Sequence, residues 1–268
     1  MVIDDKKIKI LNSFQSLNEN DKRNLFCTFF YEDDFLKIGE TLYHFKKMDC
    51  KEIFYEVIGE MISNFFSLKT VKNELYKKSG EYYLLTKVFT NSLNNYSFID
   101  GLFEDDIVYG EIYNIDNIIK YKDLNSGKYI KILKKHLEKL LIDLKKLSVV
   151  DFITGQNDRH LENFMFCYDK GYIELMPVYD YGILFEDGMH YDNLLSIYLS
   201  SEKIVEYIKN DKVFNNLFIR FLMLNIKDIF SKIENEYFIQ LNNYEKDYFE
   251  AFINDKKEEV KKYNLVRS

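Results

Sequence analysis

Apolar residues recur at Ile53, Val57, Met61 and Phe65, a four-residue spacing that predicts a helix over 49–68 with one face on a neighbouring sheet. Asp49 is its expected N-cap, and Glu52, three residues on, completes a capping-box pattern. A second helical pattern, Leu133, Leu137, Leu140, Leu144 and Leu147, predicts a long helix from Tyr129 to about Phe152. Aromatic-rich runs at 26–31 (FCTFFY), 35–47 (FLKIGETLYHFKK) and 82–89 (YYLLTKVF) read as strands. Ahead of them, Leu11, Phe14 and Leu17 predict a partly helical opening segment. Residues 164–168 and 172–176 read as the arms of a hairpin around Asp169-Lys170-Gly171, where glycine can take a positive φ. The acidic stretch 98–128 reads as irregular. After Gly182 the pattern turns helical, apolar on one face over 213–233 and amphipathic over 244–263.

Strands with one helix before residue 90, and mainly helices with one hairpin after it, read as an α+β protein. The polar run 91–96 (NSLNNY) is the expected hinge, which divides the chain into residues 1–90 and 91–268.

Composition narrows the class. A chain of 268 residues with 47% hydrophobic and 30% charged residues can bury a sizeable core. A formal charge of −7 argues against general nucleic-acid binding, because no broad field attracts phosphate. Cys27, Cys50 and Cys167 are widely spaced, which points to reduced thiols and away from a disulfide framework or a zinc site. No run approaches the roughly 20 apolar residues of a membrane span, and the charged N-terminus lacks the apolar core of a secretory signal. The expected location is the cytoplasm.

The chemistry concentrates between Asp151 and Gly182. Asp158 lies in a loop that leaves the long helix through Gly155; Asn163 follows five residues later, just before one hairpin arm, and Asp180 comes just after the other. A hairpin brings Asn163 and Asp180 together, and two side-chain oxygens with phosphate and water complete a magnesium shell. Asp158 can reach over the metal toward a hydroxyl. Each residue alone is an ordinary turn former; in this order they form the set that phosphoryl transfer from ATP requires.

Asn157-Asp158-Arg159-His160-Leu161-Glu162-Asn163, followed beyond a hairpin by Tyr179-Asp180, resembles the catalytic and metal-binding loops of the HipA-like Ser/Thr protein kinases. Phosphatidylinositol 3- and 4-kinases share a similar Asp-Arg-His signature. The resemblance implies a bilobal kinase-like fold, with a small sheet-plus-helix N-lobe and a larger, mainly helical C-lobe. It implies ATP and Mg²⁺, with Asp158 as the catalytic residue, His160 bracing the catalytic loop, and Asn163 and Asp180 on the metal. It further implies a nucleotide-binding lysine, for which Lys46 fits, with Lys47 on the opposite face of the strand as alternative. The lysine's partner is expected on the next helix at Glu56, with Glu52 one turn earlier and Glu60 one turn later. By position, Val88 and Phe89 would offer backbone groups to adenine. The family also implies a protein substrate, in some relatives a translation factor, and an antitoxin partner.

Two departures stand out. No Gly-rich phosphate loop is present, and residues 33–41 carry no serine of the kind whose autophosphorylation switches HipA-like toxins, although Thr41 offers a hydroxyl. The length suits the compact members that lack an extra N-terminal subdomain. Two other readings share the residues. A phosphatidylinositol-type lipid kinase fits the signature but not the acidic segment 185–193 (FEDGMHYDN), and a pseudokinase binding module fits the missing loop.

Overall fold

The structure is a computed structural model that describes residues 8–11, 34–38, 41–78, 81–87, 96–97, 120–122, 129–131, 134–156, 166–169, 172–181, 210–237 and 241–262. Among the described residues the elements run in the order β1 (Ile8–Leu11), β2 (Asp34–Ile38), β3 (Thr41–Lys47), α1 (Cys50–Phe65), β4 (Asn73–Lys78), β5 (Glu81–Lys87), β6 (Tyr96–Ser97), β7 (Lys120–Lys122) and β8 (Tyr129–Lys131). The chain continues with α2 (Lys134–Thr154), β9 (Phe166–Asp169), β10 (Tyr172–Leu175), α3 (Lys212–Leu222), α4 (Ile226–Tyr237) and α5 (Asn243–Lys261).

An antiparallel five-stranded sheet, ordered β1-β2-β3-β5-β4, precedes most of the helical residues. Cross-strand partners share a face of the sheet, and here the two faces differ. Leu84, the partner of Lys46, belongs to the main core with α1. Tyr83, the partner of Lys47, packs outward against Phe45 in a separate cluster around Tyr43, Tyr76 and Leu85.

Helix α1 begins as expected: Glu52 N–H donates to Asp49 Oδ1 at 2.8 Å, and Asp49 N–H donates to Glu52 Oε2 at 2.9 Å. Its burial goes further than a stripe. Every residue from Ile53 to Glu60 is buried, because helices as well as the sheet pack against α1. Phe54 lies 4.9 Å from the Phe249 ring of α5 and 6.1 Å from the Phe230 ring of α4, in the range of productive aromatic pairs. One core runs from Leu84 through α1, α2 and β10 to α3, α4 and α5.

Several boundaries depart from expectation. Residues 35–47 form two strands, β2 and β3, because Gly39 punctuates the run and the register Ile38↔Thr41 closes a hairpin there. Residues 8–11 pair with β2 as a strand, so the helical reading of the opening fails at Leu11; Phe14 and Leu17 lie outside the described residues. Strand β4 (NELYKK) is masked in sequence by its charge, yet it pairs with β5 along its whole length. The long helix starts at Lys134 because Tyr129–Lys131 pairs with β7. The apolar run 213–233 breaks at Met223 and Leu224, whose N–H groups close the last turn of α3. The expected strand 26–31 lies outside the described residues. No helix among the described residues is long and apolar enough to cross a membrane.

Candidate active site

The site begins where α2 ends. Gly155 adopts φ 64°, and Gln156 N–H reaches back to the Asp151 carbonyl at 3.0 Å, a Schellman cap that turns the chain sharply out of the helix. The cap leaves the Gln156 side chain buried, with its Nε2 donating to the Asp180 carbonyl at 3.0 Å. Residues 24 apart in sequence are thus joined, and Asp158 follows Gln156 by two positions.

The hairpin forms with the register Tyr172↔Asp169 and Leu175↔Phe166, so the chain entering β9 and the chain leaving β10 meet at one end. Beyond β10 the backbone is gripped residue by residue. Val178 donates to the Lys69 carbonyl and accepts from Val71 N–H, both at 3.0 Å, and Thr70 Oγ1 adds a bond to the Val178 carbonyl at 2.9 Å. Three residues on, Tyr181 N–H donates to Glu56 Oε2 at 3.0 Å. Its side chain packs directly against Gly59, where an added Cβ would sit 2.2 Å from Tyr181 Cγ, and its hydroxyl shares a 2.5 Å hydrogen bond with Ser63.

Between these anchors stands Asp180, with φ 60° and an exposed side chain. A left-handed conformation is uncommon outside glycine and costs on the order of 1–3 kcal/mol, so it persists only where its surroundings over-determine it. Here Val178, Gln156 and Tyr181 supply that constraint. The result is an exposed aspartate on a backbone that is fixed on both sides.

Glu56 is the glutamate of α1 that reaches this site. It is 6% exposed, and its acceptor holds the residue after Asp180. Glu52 is committed to the helix cap, and Glu60 faces elsewhere, accepting from Asn73 N–H at 3.1 Å. Lys46 lies on the sheet face shared with Leu84 and α1; its exposed side chain makes no hydrogen bond or ion pair to a described residue. Lys47 is on the outer face, bridged to Glu81 at 2.6 Å. Asp158, His160, Asn163, Val88 and Phe89 lie outside the described residues.

Sequence reasoning passed over Gln156, Gly59, Ser63 and Tyr181. One signal was available: glycine inside a helix costs roughly 1 kcal/mol against alanine, so Gly59 in the middle of α1 marked a close approach. Nothing in the sequence pointed to Tyr181 as its partner.

Of the expected metal ligands only Asp180 lies in the described residues, and a carboxylate is a ligand type that suits a hard cation. An exposed carboxylate oxygen held on a rigid backbone is what magnesium uses for one or two of its protein ligands.

The sequence matches no family model and no curated protein. The fold does have relatives among solved structures. A proinflammatory kinase of Helicobacter pylori, CtkA, superposes with a TM-score of 0.56 at 17% identity, covering 87% of this chain and 89% of that one. The toxin HipA of Shewanella oneidensis, solved with HipB and operator DNA, superposes with a TM-score of 0.53 at 12% identity, covering 90% of this chain and 62% of that one. The chain therefore has a HipA-like kinase fold, an α+β arrangement of antiparallel sheet and helices.

Proposed function

We propose that this protein is an ATP- and magnesium-dependent protein kinase of HipA-like type, which phosphorylates a Ser or Thr hydroxyl. The observation that carries the reading is Asp180: an exposed, left-handed residue, braced by Gln156, Val178 and Tyr181 beside the exit of α2. The fold it shares with two kinase-type structures supports the same assignment.

In this account residues 1–90 form the nucleotide-binding lobe and residues 91–268 the catalytic lobe. Asn163 and Asp180 would hold Mg²⁺, which would supply charge neutralisation at the phosphates. Lys46 contacts the phosphates as a point charge, and backbone groups of Val88 and Phe89 meet adenine. Glu56 acts by holding Tyr181 N–H, and so keeps Asp180 in its left-handed turn. Asp158 orients the acceptor hydroxyl and takes its proton as the oxygen attacks the γ-phosphorus. The bond to the β-phosphate oxygen breaks and ADP leaves with that electron pair. Such a base contributes roughly 10²–10⁴-fold, the remainder coming from positioning and charge. His160 braces the catalytic loop. The substrate would be a protein, of the translation-factor kind by family analogy, an antitoxin the regulatory partner, and the cytoplasm the place of action.

A second reading has one observation in its favour: the sequence carries no Gly-rich phosphate loop. A pseudokinase that binds nucleotide without turnover would look the same. The test is transfer of labelled γ-phosphate with Mg²⁺, into the protein itself and into a bacterial lysate, by wild type, Asp158→Ala and Asp180→Ala. Label in the wild type alone supports the kinase. ATP binding without label selects the pseudokinase, and loss of both rejects the assignment.

A further inference from the structure

On the flank of α1 next to the Tyr181 contact, a cavity of about 610 Å³ opens between α1, residues 70–72 and the turn joining α3 to α4. Met61, Phe65, Val71, Leu224 and Ile229 give it apolar walls, and Met223 stands 68% exposed in its lining. The same cavity reaches Glu60, a carboxyl 7% exposed that has no part in the chemistry above.

Glu60 is incompletely served. Its Oε2 accepts from Asn73 N–H at 3.1 Å and, weakly, from the Tyr237 hydroxyl at 3.4 Å, and it makes no ion pair among the described residues. A carboxylate offers about four lone-pair sites, so much of its capacity stays unused. Burying such a group without a cation is costly, and the protein meets the cost by raising its protonation range: burial pushes the Glu60 carboxyl up to about 7, against the lowering influence of its hydrogen bonds and of Lys72.

We propose that this cavity is a ligand site for a small molecule that carries a protonated amine on an apolar body, with Glu60 as the anionic partner. An ammonium group supplies the missing counter-charge and hydrogen-bond donors, while an aromatic or aliphatic body fills the Met61–Phe65–Ile229 walls. Charge in the surrounding elements favours this sign. With Glu60 itself, Asp228 and Glu236 put three carboxyl groups in the lining, against the lysines Lys72 and Lys232, and Tyr237 is held neutral by burial and the acids around it. The site is separate from the Asp180 side of α1 and does not depend on the kinase reading.

The test uses 2-phenylethylamine, with the neutral 3-phenylpropanol as control, titrated calorimetrically into the full chain. Because the amine binds the ionised carboxylate and stays protonated up to near pH 10, its affinity should rise about tenfold between pH 6 and pH 8, as Glu60 ionises. Glu60→Gln keeps an acceptor for Asn73 N–H but should weaken binding at least about tenfold. Asn64→Trp, a change at an exposed position that fills the cavity, should abolish binding and keeps the test valid if the first variant fails to fold. Saturable binding of the amine with this pH dependence, lost in the variants and indifferent to ATP, supports the site. Absence of saturable binding, equal affinity for the neutral alcohol, affinity unchanged in the variants or flat with pH, or competition by ATP would overturn it.

Discussion

Helix α1 carries two buried glutamates one turn apart, and they have opposite surroundings. Glu56 accepts the backbone N–H of Tyr181 and so reaches the residue beside Asp180; Glu60 accepts the backbone N–H of Asn73 and looks into a cavity. Both are buried to a similar degree, 6% and 7% exposed. The difference lies in what stands opposite. Glu56, Gly59 and Ser63 follow an i, i+3, i+7 spacing and form one continuous seat for Tyr181, while Glu60 lies on the adjoining flank, which nothing fills as tightly. A residue type at helical spacing therefore says little about its role until the opposing element is known.

The sharpest way to break the comparison is to spoil the seat. Gly59→Ala would set a Cβ 2.2 Å from Tyr181 Cγ and 2.6 Å from its Cβ, too deep in the side chain for a rotamer change to relieve. The expected loss is at least about 3 kcal/mol of stability, with phosphoryl transfer falling on the order of 100-fold because Asp180 moves with Tyr181. Near-normal melting and turnover would show that Tyr181 does not need this seat.

Glu60 should reveal itself in the pH dependence of stability. Its folded-state value, about 7, lies above the ordinary 4.5. The folded protein thus holds a proton that the unfolded chain has released, and its contribution is complete below about pH 4.5 and lost as pH rises through about 7. Relative to Glu60→Gln, the wild type should lose roughly 3 kcal/mol across that window, measured by urea unfolding at several pH values. A constant difference would place Glu60 in a wetter setting than the cavity implies.

Glu56 supplies the contrast. Glu56→Ala leaves the Tyr181 N–H buried without an acceptor and should cost about 2 kcal/mol, whereas Glu56→Gln retains an acceptor and most of the stability. Tyr181→Phe removes only the hydroxyl shared with Ser63, for about 1 kcal/mol. The smallest effect belongs to Lys47→Ala, which should leave both melting and activity unchanged, since that side chain is on the outer face of the sheet. Lys46→Ala should instead lose activity with melting intact; the reverse pattern would exchange the two lysines.

Much of this was legible in the sequence where local rules govern. The capping box at Asp49 and Glu52, the leucine pattern of α2 and the antiparallel pairing of β9 with β10 each depend on near neighbours, and each forms. Strand β4 was not legible, because its apolar positions are few and it carries a half-buried glutamate, Glu74, between Asn73 and Leu75. The bracing of Asp180 was invisible for another reason: Gln156, Val71 and Glu56 approach it from three separate parts of the chain. Asp180 itself could be chosen by its spacing from Asp158 and Asn163, but its left-handed backbone is a product of tertiary contacts.

The most direct test of the central claim, that Asp180 is held in place as a metal ligand, is a titration of ATP binding against magnesium concentration. Wild type and Asp180→Ala are compared. The account predicts that Mg²⁺ tightens ATP binding to the wild type and that Asp180→Ala, while still folded, loses most of that dependence. An identical magnesium response in the two proteins would contradict it.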